Sequence, residues 1–339
     1  MQKKQKKDPT RNNCNSNLFQ KETGNYTKDL FENIAMDWFV STSLYAKEST
    51  QNKYRNMLSY YILPVYGQYP IQQITTDFIE QNCQLLLASG GKQKAGLSSK
   101  TVTDVLSIVR NILRFASKKG ISISCDGNAV KIKHMPNSIR VLSKSEQDKL
   151  CRYLLENSTP YSIGILICLF TGMRVGEICA LRWEDISFPD QTIHVCHTMQ
   201  RIQNHSDTIP KTKIIITPPK SACSNRIIPI NDKLCKILSI YKSTDTGFVL
   251  TNSEKFIEPR SIQAQFKRIL KKNYIDSANF HAIRHTFATR CIELGFDVKS
   301  LSEILGHASI NITMNRYVHP TLELKKENMN KLDSLFDMN

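Results

Sequence analysis

Hydrophobic and polar positions recur with a helical period over most of the chain, and the places where that period stops divide it into parts. From Leu30 to Gly120 the pattern predicts four helices, near residues 29–41, 50–65, 75–88 and 98–118. Gly67, Gly90, Gly91 and Gly120 punctuate their ends, and Ser99 and Thr101 are candidate caps. The last helix is the most legible. Val105, Ile108, Val109, Ile112 and Phe115 share one side, while Arg110, Arg114 and Lys118 stand one turn apart on the other. A basic stripe of this kind suits a DNA-facing helix, and a merely solvated helix can carry it too.

Residues 121–141 lose the helical period and carry Gly127 and Pro136, a linker composition. A second domain opens at Ser143, where S-K-S-E predicts a helix start with Glu146 closing a capping box. Helices follow, then β-rich segments around 192–198, 212–217 and 226–230, then helices to the end. Before Leu30, residues 1–28 are polar, rich in Lys and Asn, and read as a flexible basic arm. The architecture expected is mainly α with a small antiparallel β-sheet, in two domains at 29–120 and 142–339.

Composition changes this picture in one respect. The chain has 46 Lys+Arg against 30 Asp+Glu, a formal net charge of +16. Residues 1–141 hold 20 basic and 10 acidic side chains, so the N-terminal part carries the larger surplus. Such a surplus favours a polyanionic partner, because each phosphate neutralised releases counterions. Ten cysteines show no C-x-x-C pair and no Cys/His cluster at zinc spacing, which argues for buried free thiols in a reducing compartment rather than disulfides or a metal site. The basic start has no apolar stretch after it, and the longest apolar run, Ile163–Phe170, is too short to span a bilayer. A soluble, cytoplasmic protein is expected.

Four segments of the second domain place a cation, an imidazole or a phenol where a phosphate reader needs one. In Thr171-Gly172-Met173-Arg174-Val175-Gly176-Glu177, an apolar helix ends at Gly172, so Arg174 falls at a turn with Glu177 one turn later to brace it. Pro218-Pro219-Lys220-Ser221 sets a lysine between β-rich runs, followed by Arg226-Ile227-Ile228-Pro229-Ile230. In His281-Ala282-Ile283-Arg284-His285-Thr286-Phe287, His281 and Arg284 share a helix face, while Ile283, Phe287 and Leu294 face a core. Leu305-Gly306-His307 precedes Asn315-Arg316-Tyr317, putting an imidazole ten residues before a phenol. Tyrosine is a poor nucleophile at its free pKa, and clustered cations are the activators it needs.

Each segment alone is commonplace. In this order, TGMRVGE, PPKSACSNRIIPI, HAIRHTFAT and LGHASINITMNRY resemble the tyrosine recombinase (phage integrase) family over roughly residues 30–320, with wording most like integrases of phages and conjugative transposons. The resemblance implies a four-helix core-binding, SAM-like domain at 29–120 and an α+β catalytic domain at 142–339. It implies roles as well. Arg174 and Arg284 would bind the non-bridging oxygens of the scissile phosphate, and His307 would complete those contacts. His281 would bond the phosphate or act on the nucleophile's proton. Lys220 would protonate the leaving 5′ oxygen, with Lys211 and Lys213 as rivals for that task, and Tyr317 would attack phosphorus to leave a 3′-phosphotyrosine. No metal or other cofactor is required, because the phosphoester energy is kept in the covalent intermediate.

The function implied is integration or excision of a mobile element at specific sites on double-stranded DNA, by a homotetramer in the synaptic complex. An excisionase or a host DNA-bending protein would be a possible accessory, and no membrane is involved. The alternatives are a chromosome-dimer resolvase or type IB topoisomerase relative with the same chemistry, or a non-catalytic DNA-binding relative; the filled catalytic positions argue against the last. About 28 residues before Leu30 are too few for a separate arm-binding domain. Beyond Tyr317, Leu324–Phe336 reads as a short amphipathic helix expected to dock into a neighbouring catalytic domain.

Overall fold

The computed structural model describes residues 29–91, 93–133, 140–204, 210–219, 222–318 and the positions 326, 329 and 330. The chain forms two compact units, Met1–Pro136 and Asn137–Asn339. Lys220, and all of the expected C-terminal helix except Lys326, Met329 and Asn330, lie outside the described residues.

Unit 1 is helical. It comprises α1 (Phe31–Ser43), α2 (Glu48–Met57), α3 (Leu63–Tyr66), α4 (Thr76–Ser89) and α5 (Ser99–Lys118). The predicted second helix is α2 and α3 joined through one wide turn at Leu58–Ile62, where Leu63 N–H reaches back five residues to Leu58 O. Pro64, in the first turn of α3, has no N–H to continue the ordinary ladder, and that accounts for the widening. The cap of α5 falls one residue earlier than expected: the Ser98 hydroxyl accepts from Thr101 N–H at 3.2 Å. Val102, Val105, Leu106, Val109, Ile112 and Leu113 of α5 bury against Phe31, Trp38, Tyr66 and Ile79. Within that core the Tyr66 hydroxyl accepts from Asn82 Nδ2 at 2.8 Å, so a buried polar pair is satisfied internally.

The basic stripe of α5 is not uniform. Arg114 and Lys118 are exposed, but Arg110 is half-buried, and its Nε donates to Gly127 O at 2.7 Å while its Nη2 donates to Val130 O. Val130 is buried, and Ile121, Ile123, Cys125 and Ile132 pack against the same core. The start of the segment whose composition reads as a linker is thus held down on unit 1. Helical periodicity could not reveal this, because the segment is not helical and is bound partly through carbonyls clamped by one arginine.

Unit 2 is built around α7 (Pro160–Thr171), whose Ile163, Ile165, Leu166, Ile167 and Cys168 are all buried. Around it lie α6 (Lys144–Glu156), α8 (Val175–Ala180), α9 (Asp232–Tyr241), α10 (Pro259–Lys272), α11 (His281–Glu293), α12 (Val298–Leu305) and α13 (Ile310–Tyr317). Ser143 and Glu146 form the capping box at the start of α6. Five short strands, β1 (Ile186–Ser187), β2 (Thr192–Val195), β3 (Thr198–Gln203), β4 (Thr212–Thr217) and β5 (Arg226–Pro229), make two antiparallel sheets. One is ordered β1-β2-β5, with Ile193 opposite Ile228 and Val195 opposite Arg226; the other is the β3–β4 ribbon.

Alternation along β5 buries Arg226 and Ile228 and exposes Ile227 and Pro229. Leu294, expected in the core, is 76% exposed. The helix ends at Glu293, and Gly295, at φ +80°, turns the chain before Leu294 can complete another inward position. No helix among the described residues is long and apolar enough to cross a membrane.

Replacing Arg110 by Ala removes two donors from backbone carbonyls and should lower the stability of unit 1 by ~1–3 kcal/mol. Limited proteolysis should find the variant cut more readily within residues 121–133, with Arg114→Ala as the neutral comparison. Equal cleavage of both would show that the clamp does not hold the segment.

Candidate active site

The site is assembled at two helix ends. α7 stops at Gly172, whose φ of +65° is left-handed and whose missing Cβ would otherwise fall 2.5 Å from the Phe287 ring. α12 stops at Gly306, φ +63°, with Gly306 N–H bonded to Glu303 O at 2.9 Å and His307 N–H bonded to Ser302 O at 3.1 Å. That pair of bonds is a Schellman cap, which satisfies the earlier carbonyls and leaves the last ones facing outward.

Three arginines take those last carbonyls. Arg226 Nε donates to Ile304 O at 2.6 Å, Arg284 Nη2 to Leu305 O at 2.7 Å, and Arg174 Nη2 to Gly306 O at 3.0 Å. Arg284 Nη1 also donates to Gly172 O at 2.7 Å, so one guanidinium joins the two helix ends. The carboxylate side of the cluster is Glu177, only 3% exposed. It accepts from Arg174 N–H at 2.9 Å, Arg174 Nη1 at 2.8 Å and Arg226 Nη2 at 3.0 Å. Burial by itself would raise the Glu177 pKa, but Arg226 and Arg174 outweigh it and hold the carboxyl below its ordinary range.

The structure brings five of the six expected catalytic residues to unit 2 in described positions: Arg174 at the start of α8, His281 and Arg284 on α11, His307 after α12, and Tyr317 at the end of α13. Arg284 is buried and pushed down to about 10 by burial and by Arg174, so it stays charged at neutral pH. Its Nη2 lies 2.9 Å from His307 Nε2. A guanidinium only donates, so Nε2 must accept and the His307 proton sits on Nδ1, 2.8 Å from Thr313 Oγ1. Burial and Arg284 push His307 down to about 3, in keeping with a neutral ring. Tyr317 is 6% exposed, packed among Ala288, Cys291, Leu301 and Leu305. Burial raises its hydroxyl above the ordinary phenol range, opposed by Arg284 and Arg316.

The sequence reading missed two groups. Arg226 was noted only as a flank of the lysine segment. Its signal was there, a charged residue at an inward position of an alternating strand. The other is His285, whose Nδ1 stands 2.7 Å from the Tyr317 hydroxyl, while the exposed His281 ring meets His285 edge-on with centroids 4.5 Å apart. Lys211 and Lys213, beside and on β4, are both exposed.

For a metal, the absence of zinc spacing along the chain does not hold in space. Asp185, Cys196 and His197 bring one ligand atom each within 4.8 Å of the others. The thiol there donates to Asp185 Oδ1 at 3.2 Å and is pushed up to about 11 by burial and that carboxylate, so it is protonated rather than a ready ligand.

A buried carboxylate holding arginines at two helix ends makes a cationic cluster in the unit that also carries the buried Tyr317 phenol. The family models identify the class. Residues 140–323 match the phage integrase family and residues 31–128 the phage integrase central domain, and the chain belongs to that family. The ICEBs1 integrase of Bacillus subtilis strain 168 is 25% identical over 338 residues, covering 94% of this chain and 86% of that one. A protein described as tyrosine recombinase XerC-like from Caldanaerobacter subterraneus is 28% identical over 264 residues, 71% of this chain and 68% of its own length. Among solved structures, the Tn1549 transposon integrase in complex with a circular intermediate DNA shares the fold, with a TM-score of 0.75 at 19% identity, over 89% of this chain and 99% of that one.

Two predictions follow from the electrostatics. Glu177→Gln leaves Arg226 and Arg174 without their counter-charge and should cost about 3–5 kcal/mol in denaturant unfolding of unit 2; a loss below about 1 kcal/mol would place the anchoring in the carbonyls alone. The second concerns acid. His285 and His307, half-buried and lowered to about 4 and 3 by burial and neighbouring cations, are neutral when folded and protonated when unfolded below about 6.5. Their contribution is complete above that pH and is lost as pH falls toward their folded values. The melting temperature should therefore drop between pH 7.5 and 5.5, above the carboxylate range, and a flat profile would contradict the depressed imidazoles.

Proposed function

We propose that this protein is a site-specific DNA recombinase of the integrase kind, which cleaves and rejoins strands through a 3′-phosphotyrosyl intermediate to integrate or excise a mobile element. The observation that carries the reading is the buried Tyr317 phenol, packed against Leu305 at the helix end that the arginines hold and within the field of Arg284 and Arg174. Each guanidinium is fixed by only part of its five-donor fork, leaving N–H groups for the non-bridging oxygens of a phosphodiester. The arginines are pre-oriented by Glu177 and by helix carbonyls, so little reorganisation accompanies charge build-up on the pentavalent phosphorus. His281, exposed at the first turn of α11, would bond a phosphate oxygen or act on the nucleophile's proton. His307, in the tautomer drawn by Arg284, orients that arginine, and contact with a phosphate oxygen would need its proton moved to Nε2.

Lys220 is assigned as the general acid for the departing 5′ oxygen, and Lys211 or Lys213 would take that place if it fails. Double-stranded DNA is the partner that a net charge of +16 favours, and exposed Arg114 and Lys118 are the proposed backbone contacts on unit 1. Assembly as a tetramer, with residues after Tyr317 docking between protomers and an excisionase or bending protein assisting, belongs to the same proposal. Likeness to the ICEBs1 integrase along 94% of the chain favours a mobile-element role. The XerC-like relative supports chromosome-dimer resolution as the second reading.

A nicked suicide substrate tests the chemistry. The wild type should accumulate a covalent protein–DNA adduct, and Tyr317→Phe should give none while binding the site normally. Lys220→Ala should cleave an ordinary phosphodiester slowly but recover on a 5′-bridging phosphorothiolate, whose sulfur leaves without a proton. An adduct that survives in Tyr317→Phe overturns the nucleophile, and equal impairment of Lys220→Ala on both substrates moves the acid elsewhere.

A further inference from the structure

The proposed chemistry needs a group to take the Tyr317 proton, and the resemblance offers His281 either for that task or for bonding the phosphate. The geometry points elsewhere. His281 touches the ring of His285, edge to face, and it is His285 Nδ1 that lies 2.7 Å from the Tyr317 hydroxyl, with the two rings 5.6 Å apart. α11 delivers both functions from adjacent positions. Arg284 turns inward to the two helix ends, and His285, one residue on, turns to α13.

The charged and titratable groups facing His285 are His281 and Arg284 on its own helix and Arg316 and Tyr317 on α13. Half-burial and those cations keep its imidazole neutral at physiological pH. A neutral imidazole has one bare nitrogen; with the His285 proton on Nε2, Nδ1 is that nitrogen, and the phenol 2.7 Å away donates to it.

We infer that His285 is the base of this reaction, taking the Tyr317 proton on Nδ1 as the phenol attacks and handing it back when the strands are rejoined. The inference rests on the reading of Tyr317 as nucleophile. The step balances without any further reactant. The Tyr317 Oη–P bond forms and the P–O5′ bond breaks. The phenol proton passes to His285 Nδ1, and O5′ takes a proton from the general acid assigned to Lys220. Rejoining runs each transfer in reverse.

A weakly basic imidazole suits this work. Transfer from a buried phenol to a ring crowded by cations is uphill, which keeps the nucleophile protonated until DNA is present. A phosphodiester on Arg174 and Arg284 offsets the positive field and makes the ring more basic, while the forming O–P bond makes the phenol more acidic. Both changes drive the proton to His285 only when there is a phosphate to attack. His281, not bonded to the phenol, stays available to an oxygen of that phosphate.

The test is adduct formation on the suicide substrate as a function of pH, with His285→Asn. Asn can accept the phenol hydrogen bond but cannot hold its proton. Adduct formation should be slower by about 10²-fold or more at pH 7. The wild-type rate should level off above the pKa of its base, whereas the variant's should keep climbing toward phenol ionisation, so that the deficit shrinks with pH. Half-site binding and melting should stay near wild type. If His285→Asn does not fold, His285→Gln reads the same profile.

A deficit of constant size at every pH would reduce His285 to a positioning residue and overturn the inference. So would a wild-type rate, or faster cleavage, the mark of a lock on the tyrosine. If His281→Asn rather than His285→Asn abolishes the plateau, the base is His281. Tyr317→Phe keeps the two levels apart. If it still forms the adduct, the nucleophile assignment has failed; if it is inert while His285→Asn behaves as wild type, only the present inference has.

Discussion

The catalytic unit depends on one carboxylate out of reach of water. Glu177 is buried and accepts from Arg174 and Arg226 at once, and its charge makes it tolerable to pack these guanidiniums beside a third, that of Arg284. Burying like charges together is unfavourable, and repulsion from Arg174 and Arg226 is part of what lowers Arg284. A single anion cannot neutralise all three. The remaining compensation comes from the carbonyls of Ile304, Leu305, Gly306 and Gly172, the negative ends of α12 and α7. The cluster therefore keeps a surplus of positive potential.

Those carbonyls are free because both helices end in left-handed glycines. A residue with Cβ at 172 would meet the Phe287 ring, and one at 306 would press on Arg226 Nη1 and Cys223 O, 3.0 Å away. The glycines thus fix where the chain turns and which backbone oxygens the arginines find. The same turn at Gly306 sends the chain to His307, whose hydrogen bonds to Arg284 and Thr313 set its tautomer, and on through α13 to Tyr317. Placement of the arginines and of the Tyr317 phenol are consequences of one helix end.

Clustered cations have a second effect. They hold the imidazoles neutral, which leaves each ring one bare nitrogen to accept with and one N–H to donate, and ties stability of the catalytic unit to pH. Unit 1 uses an arginine differently. Arg110 is bound to Gly127 O and Val130 O of its own chain, while Arg114 and Lys118, at equivalent spacing on α5, remain exposed. Three residues one turn apart on a helix thus divide between an internal clamp and an outward charge.

Local signals in the chain were enough for much of this. Apolar periodicity marks the four helical stretches of unit 1, S-K-S-E marks the start of α6, and the order of the arginine, histidine and tyrosine segments carries the family resemblance that implies phosphotyrosine chemistry. Such features are properties of neighbours three or four residues apart. What sequence could not supply is set by contacts across 49 to 132 residues: Arg226 on Glu177 and Arg174 on Gly306 O. His285 shows the limit most clearly. Its place next to Arg284 in sequence carries no hint that it faces Tyr317, because the partner lies 32 residues on and on another helix. Only the packing of α11 against α13 brings the imidazole and the phenol within hydrogen-bond distance.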